Sequence, residues 1–336
     1  MVVRYDRHNY LWRRLEMKIV DLDGFALNPG DLSWDGFKQF GDFKNYDRTE
    51  ENDATILERI GDAEIVLTNK TPLDKKVINE APKLKYIGVL ATGYNVVDIA
   101  AAKDNNVVVT NIPSYGTDAV AQHTFALLLE ITNQVGLHSE AVRNGEWSSA
   151  TDFTFWKTPL ISLTGKTLGI IGYGHIGQAT AQIAHSFGMN IIFYNHHERE
   201  VSEDWLKQVS LEDILTKSDI VSLHTPQTPQ TEEMINQTTI AKMQDGVILL
   251  NTARGGLINE NDVANALNSG KIYAYGADVT AQEPINADNP LLTAKNVFLT
   301  PHIAWAATEI RERLMRIAVE NLKAFIAGQS RNVVNK

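Results

Sequence analysis

The chain has 336 residues, 43% hydrophobic and 21% charged, the profile of a globular protein with room for two domains. Its 31 basic and 41 acidic side chains leave a net charge of −10, which argues against nucleic acid or an anionic membrane surface as a partner. It has no cysteine, which excludes disulfides and thiol catalysis and fits a reducing, cytoplasmic compartment; no apolar run nears the ~20 residues that span a bilayer.

Residues 1–16 carry Arg4, Arg7, Arg13 and Arg14 without the apolar core of a secretory signal, and Asp6 and Glu16 count against a mitochondrial presequence. They read as a disordered extension, with folding expected from near Met17. From there to Asn111, strand-like runs (Ile19–Leu22, Glu64–Thr68, Leu84–Leu90, Val107–Thr110) alternate with helical ones (Asp53–Ile60, Asp74–Glu80, Asn95–Asn105). That alternation predicts a doubly wound parallel sheet. Leu90–Asn95 lies at a strand's C-terminal end, where open α/β sheets bind ligands, and its small residues leave backbone N–H groups free for an anion. Thr117–Thr132 reads as a long apolar helix. Trp147, Phe153, Phe155 and Trp156 cluster in a loop-like stretch and suit a subunit interface better than a core.

The strongest signal spans Thr167 to Phe187. An apolar run, Leu168–Ile171, is followed by Gly172-Tyr173-Gly174-His175-Ile176-Gly177, a G-x-G-x-x-G, and then by apolar residues at helical spacing. A second strand, Asn190–Tyr194, ends in Asn195, 18 positions after Gly177 and near the ~20 expected of a dinucleotide fold. Such a turn lets backbone approach a pyrophosphate, and the helix N-terminus offers N–H groups to the anion. The alternation then resumes with strands Asp219–Leu223, Gly246–Asn251, Tyr275–Val279 and Val297–Leu299 and helices Leu211–Lys217 and Asn259–Ser269. A final amphipathic helix, about Thr308 to Ala327, is long enough to return to the first domain.

Three polar residues stand just past late strands: Arg254, Glu283 and His302. An oxidoreductase acting on a 2-oxo acid needs a cation for the carboxylate and an acid for the ketone oxygen. Arginine's planar fork suits the first task and histidine the second. A carboxylate beside the imidazole fixes its tautomer. Each residue alone would be read as structural; together, beside the glycine turn, they point to chemistry.

With these motifs the chain resembles the D-isomer-specific 2-hydroxyacid dehydrogenases from about Met17 to the C-terminus. The likeness rests on Gly172–Gly177, Asn251-Thr252-Ala253-Arg254-Gly255, Glu283-Pro284 and Thr300-Pro301-His302-Ile303-Ala304. It implies two doubly wound α/β domains, a Rossmann dinucleotide-binding domain (117–304) inserted in a flavodoxin-like substrate-binding domain (17–116 and 305–336). It also implies that Arg254 binds and polarises substrate, that His302 is the acid/base group, and that Glu283 orients it. Asp278 would hold the nicotinamide carboxamide. Ala91, Thr92 and Gly93 would hold the substrate carboxylate, with Trp305 nearby. Coenzyme contacts are expected from Gly172, Tyr173, Gly174, His175, Ile176, Gly177, Asn195, His196, Thr225, Pro226, Thr252, Ala253, Arg254, Asp278 and His302. Within the family, Gly145–Ser148, Asp152–Trp156 and His302–Trp305 are similar to the glycerate dehydrogenase (hydroxypyruvate reductase) branch. The expected protein is a homodimer that takes a small 2-oxo or 2-hydroxy acid.

One departure bears on the coenzyme. Asn195 stands where an NAD-preferring relative usually has Asp for the ribose 2′-hydroxyl. His196, His197 and Arg199 follow and could neighbour a 2′-phosphate, while Glu198 and Glu200 would repel it, so both NAD(H) and NADP(H) stay open. No third residue at ligand spacing turns the histidine pair into a metal site. Two rival readings are a dinucleotide-sensing scaffold and a formate dehydrogenase; Glu283 speaks against the latter.

Overall fold

The computed structural model describes residues 17–336, so the expected extension at 1–16 lies outside the described residues. The chain divides into two compact units: one runs up to Tyr115 and takes in Ala306–Lys336, the other is Gly116–Trp305.

The first unit contains β1 (Lys18–Asp21), α1 (Asp35–Lys38), β2 (Asp42–Asn45), α2 (Asp53–Ile60), β3 (Ile65–Thr68), α3 (Lys75–Glu80), β4 (Tyr86–Val89), α4 (Ile99–Asp104) and β5 (Val108–Thr110). Its sheet is parallel throughout, in the order β2-β1-β3-β4-β5. β3 and β4 are buried along their whole length, as strands covered on both faces must be. One face is lined by Val20, Val66, Ile87 and Val109 against Ile56, Val77 and Ala101. Each fully buried side chain of this size contributes about 1.5–3 kcal/mol.

Two differences from the sequence reading have local causes. β2 lies at the sheet edge, half-exposed and carrying Asp42 and Lys44, so it lacks an apolar signature. The helix expected from Asn95 begins at Ile99, because Val96 and Val97 are drawn into a parallel bridge with Leu73. Asp98 then caps the helix by accepting the Ala101 N–H at 2.9 Å.

The second unit opens with α5 (Thr117–Asn133) and α6 (Val135–Arg143). It continues through β6 (Thr167–Ile171), α7 (His175–Ser186), β7 (Asn190–Tyr194), β8 (Leu206–Gln208), α8 (Leu211–Lys217), β9 (Ile220–Leu223), α9 (Gln237–Lys242), β10 (Val247–Asn251), α10 (Glu260–Ser269), β11 (Ile272–Ala277) and β12 (Val297–Leu299). The seven strands are parallel, in the order β12-β11-β10-β9-β6-β7-β8, so the winding reverses between β6 and β9. On one face Phe125, Leu128 and Ile131 of α5 pack against Leu168, Ile170, Ile248 and Leu250. On the other, Val221, Leu249 and Tyr275 pack against Ile214, Val263 and Leu267. β11 starts three residues before the expected strand and ends two sooner, at Ala277, which puts Asp278 on the sheet edge itself. Trp147, Phe153 and Trp156 are exposed, as a surface role requires.

A last helix, α11 (Thr308–Ile326), belongs to the first unit. Phe325 packs on Tyr86 with the rings tilted by 37° and their centroids 4.8 Å apart, and Arg311 makes a two-point contact with Asp31 at 2.8 and 2.6 Å.

Candidate active site

The site begins where β6 becomes α7. Gly172 has φ +98°, and a methyl group there would lie 2.6 Å from the His224 carbonyl oxygen, so only glycine fits this turn. A Cβ at Gly177 would lie 2.3 Å from the Gly172 oxygen, which is how closely helix and turn pack. Gly174 is different: its missing side chain faces open space. Among the described residues no side chain caps α7, so the N–H groups of its first turn and the positive end of its dipole face the room beside Gly174. These features fit the pyrophosphate of a dinucleotide.

Asn195, past β7, accepts the Tyr173 N–H at 3.3 Å and donates to the His197 carbonyl at 3.2 Å, which ties the glycine turn to the next loop. Gln208 of β8 braces that loop through the Asn195 and His197 carbonyls and the Arg199 N–H. Across the sheet's reversal point, His224 precedes Thr225 and Pro226. Its Nε2 lies 2.8 Å from the Ser222 hydroxyl, and burial of the ring pushes its pKa down to about 4, which keeps it neutral.

The polar groups gather at the ends of β10, β11 and β12. Asn251 closes its own turn, accepting the Ala253 N–H at 3.1 Å and donating to the Arg254 carbonyl at 2.9 Å. That turn leaves Arg254 exposed, with one guanidinium N–H on the Ala253 carbonyl at 2.6 Å. Gly255 brings this loop against the Asp278–Glu283 loop: a Cβ there would lie 1.9 Å from the Thr280 carbonyl carbon. Glu283 accepts the Thr280 N–H at 3.3 Å through Oε1 and meets His302 Nδ1 at 2.6 Å through Oε2. A carboxylate only accepts, so Nδ1 carries the proton, and Nε2 has no partner among the described residues. His302 itself sits at φ +56°, a left-handed conformation costing a non-glycine residue about 1–2 kcal/mol. Trp305 Nε1 donates to the His302 carbonyl at 2.9 Å.

Residues 125–304 match the family model for the D-isomer specific 2-hydroxyacid dehydrogenase NAD-binding domain. The chain belongs to this family. It is 52% identical to a hydroxypyruvate reductase from Blautia hydrogenotrophica, over 95% of this chain and all of that one. It is 39% identical to a glycerate dehydrogenase from Methylorubrum extorquens, over 94% and 98% of the two chains. A Thermus thermophilus protein of known crystal structure superposes with a TM-score of 0.83 at 33% identity, over 95% and 100% of the two chains. The fold, an NAD-binding Rossmann unit with a second parallel α/β unit, is that of the dehydrogenase family.

Within this dehydrogenase the expected residues fall into three groups. Glu283 and His302 touch, and the Arg254 loop packs on theirs. Gly172–Gly177 and Asn195 form a second group around the fingerprint. Ala91, Thr92 and Gly93 belong to the first unit, where Ala91 accepts the Ile112 N–H at 2.9 Å, Thr92 donates its hydroxyl to the Ile112 carbonyl at 2.8 Å, and Asn111 holds the Thr92 carbonyl at 2.7 Å. Thr92 and Gly93 are exposed.

Asp278 is more committed than the family resemblance implies. Its carboxylate accepts the Thr300 hydroxyl at 2.6 Å and the N–H groups of Ile303 and Ala304 at 2.8 and 2.7 Å. Sequence reasoning gave no role to Thr300, quoted only as part of a motif, or to His123, which lies 2.9 Å from the Thr300 hydroxyl. A histidine inside the apolar run Ala119–Leu129 was the available signal.

Proposed function

We propose that this chain reduces hydroxypyruvate, glyoxylate or a similar small 2-oxo acid to the D-2-hydroxy acid with NAD(P)H. The observation that carries the reading is the 2.6 Å Glu283–His302 pair, made through Nδ1, on the sheet edge that holds Arg254. The names of the two relatives reported above support hydroxypyruvate over other 2-oxo acids. Bound nicotinamide supplies the hydride. His302, once its Nε2 has taken up a proton from solvent beside the one already on Nδ1, gives that Nε2 proton to the ketone oxygen and returns to the neutral ring, while Glu283, paired at Nδ1, holds the ring in the donating orientation. Arg254 grips the carboxylate and polarises the ketone through its planar fork. The N–H groups of Thr92 and Gly93 are proposed to receive the substrate carboxylate, and Trp305, held on the His302 carbonyl, to flank the substrate.

The reading extends to a cytoplasmic homodimer. The exposed Trp147, Phe153 and Trp156 support an interface, since large aromatics are enriched where subunits meet.

A panel of hydroxypyruvate, glyoxylate, pyruvate and branched 2-oxo acids, each with NADH and NADPH, tests the assignment. His302→Ala is expected to lower turnover on the best substrate by roughly 10²–10⁴. Near-full activity in that variant, or coenzyme binding with no oxidation by any 2-oxo acid, would overturn it; the latter favours a dinucleotide-sensing scaffold.

A further inference from the structure

The loop that carries His302 has a tie to α5. His302 Nδ1 is held by Glu283, but that contact fixes the ring, not the backbone beneath it. The backbone is fixed by Asp278, which is 1% exposed and takes the N–H groups of the two residues after His302. Asp278 Oδ1 also receives the Thr300 hydroxyl, two residues before His302. Because that hydroxyl gives its proton to the carboxylate, its oxygen must accept from His123 Nε2–H at 2.9 Å. The result is a chain that converges on the carboxylate: imidazole N–H to hydroxyl and hydroxyl to carboxylate from one side, and the backbone N–H groups beyond His302 to the same carboxylate from the other.

His123 stands one residue before Thr124 on α5, and Thr124 performs a parallel task. Its hydroxyl donates to the Val120 carbonyl and so accepts from Thr252, two residues before Arg254, at 2.8 Å. α5 is a sound anchor because Phe125, Leu127, Leu128 and Ile131 bury it against the sheet. Two consecutive residues of one buried helix therefore reach the two loops that carry the proton donor and the cation.

We infer that His123 and Thr300 are positioning residues, which hold Asp278 and through it keep the His302 backbone in its left-handed conformation. The inference rests on the reading of His302 as the acid/base group. Neither residue touches the reacting atoms in this scheme. Asp278 has one acceptor position left on Oδ2, so a coenzyme contact by that residue is compatible with it.

Two pairs of variants test it in the full-length protein. Thr300→Val removes the hydroxyl at constant shape and Thr300→Ser restores it. His123→Leu removes the donor, and His123→Gln places an amide N–H where Nε2 stood. Thr300→Val and His123→Leu should lower kcat tenfold or more, with KM for hydroxypyruvate and the fluorescence-measured Kd for NADH and NADPH within twofold of the parent. Thr300→Ser and His123→Gln should stay within threefold of the parent kcat. The His302 ring signals in proton–carbon NMR spectra of the coenzyme-free protein should move in the Val and Leu variants and stay in the Ser and Gln ones. Unchanged kcat and unmoved ring signals in Thr300→Val and His123→Leu would overturn the inference, as would equal losses in Val and Ser, which mark a packing role. If the parent turns over no 2-oxo acid, the functional reading fails by itself, and the ring signals decide the positioning chain: moved supports it, unmoved overturns it.

Discussion

The two units build the same kind of parallel sheet and treat its reversal point in opposite ways. In the first unit the winding reverses between β1 and β3, and a carboxylate of the chain itself meets the backbone donors there. Asp23, just past β1, accepts the N–H groups of Asn69, Lys70 and Thr71, just past β3, at 2.7, 2.5 and 2.7 Å. In the second unit the reversal lies between β6 and β9. There Gly172 presses on His224, Gly174 faces open space and, among the described residues, no side chain caps α7. One unit fills this edge with its own carboxylate; in the other the edge has the room and the N–H groups that the proposed coenzyme phosphate would need. Equal topology thus yields a structural joint in one unit and the proposed coenzyme site in the other, and the contrast rests on Asp23 against three glycines.

Gly172→Ala should break the second unit's side of this comparison most severely. A methyl group 2.6 Å from a backbone oxygen, at a positive φ, can be relieved only by moving the turn. Urea unfolding should show a loss of ~3 kcal/mol or more, and coenzyme Kd should rise over ~100-fold. Gly174→Ala is the control: at φ −82° and with nothing near its Cβ, it should keep the parent melting temperature while its methyl group weakens coenzyme binding. Coenzyme affinity unchanged in Gly174→Ala would show that the pyrophosphate does not approach there.

Asp23→Asn should do the reverse. Replacing an acceptor oxygen by an amide that faces backbone donors removes charge-assisted bonds worth about 1.5–3 kcal/mol each, so a net loss of ~3 kcal/mol is expected with coenzyme Kd unchanged. A parent-like denaturation midpoint would remove Asp23 as the filler of that edge.

The two reversal points should also respond to pH with opposite sign. His224 titrates near 6.5 when unfolded and near 4 when folded. Between those values the unfolded chain holds more protons, so stability rises with pH from 4 to 6.5 and is lost on acidification, by at most ~3 kcal/mol. Asp21, at the end of β1, has its carboxyl raised well above 3.8, first by burial and then by the charge of Asp23. The folded state then holds the extra proton, so this group's contribution is complete below pH 3.8 and is lost as pH rises through the folded value. Urea titrations at pH 4.5 and 7 should show a smaller acid loss for His224→Gln than for the parent. Asp21→Asn should gain stability on the parent at pH 7 and lose that advantage as the pH falls. Parallel pH curves for all three proteins would refute both assignments.

The sequence made the second unit's candidate site legible and the first unit's joint illegible, for a physical reason. Glycines at fixed offsets between an apolar strand and an amphipathic helix announce a turn that binds something, and Arg254, Glu283 and His302 stood at strand ends that periodicity could place. Asp23 reaches loop residues 46 to 48 positions away, a contact with no local signature. His123 was hidden differently. It sits in a helix whose apolar pattern explains every neighbour, and its partner Thr300 is 177 residues distant. The short edge strands β2 and β8 escaped because half-buried strands of three or four residues carry too few apolar positions to show a period of two.

The smallest expected effect concerns Asn195, where local wiring bears on coenzyme choice. Its Oδ1 holds the Tyr173 N–H and its Nδ2 holds the His197 carbonyl, so the amide is turned inward by two backbone contacts. An aspartate keeps the first contact, but its second oxygen would face a carbonyl oxygen and be driven outward. There it can accept from a ribose hydroxyl and repel a 2′-phosphate. Asn195→Asp should therefore shift the ratio of NADPH to NADH dissociation constants toward NADH by about tenfold, which is ~1.4 kcal/mol. Arg199 would remain as a cation on the loop after Asn195, so Arg199→Ala in the same background should weaken NADPH alone. An equal change for both coenzymes in Asn195→Asp would mean that the residue braces the glycine turn without discriminating between them.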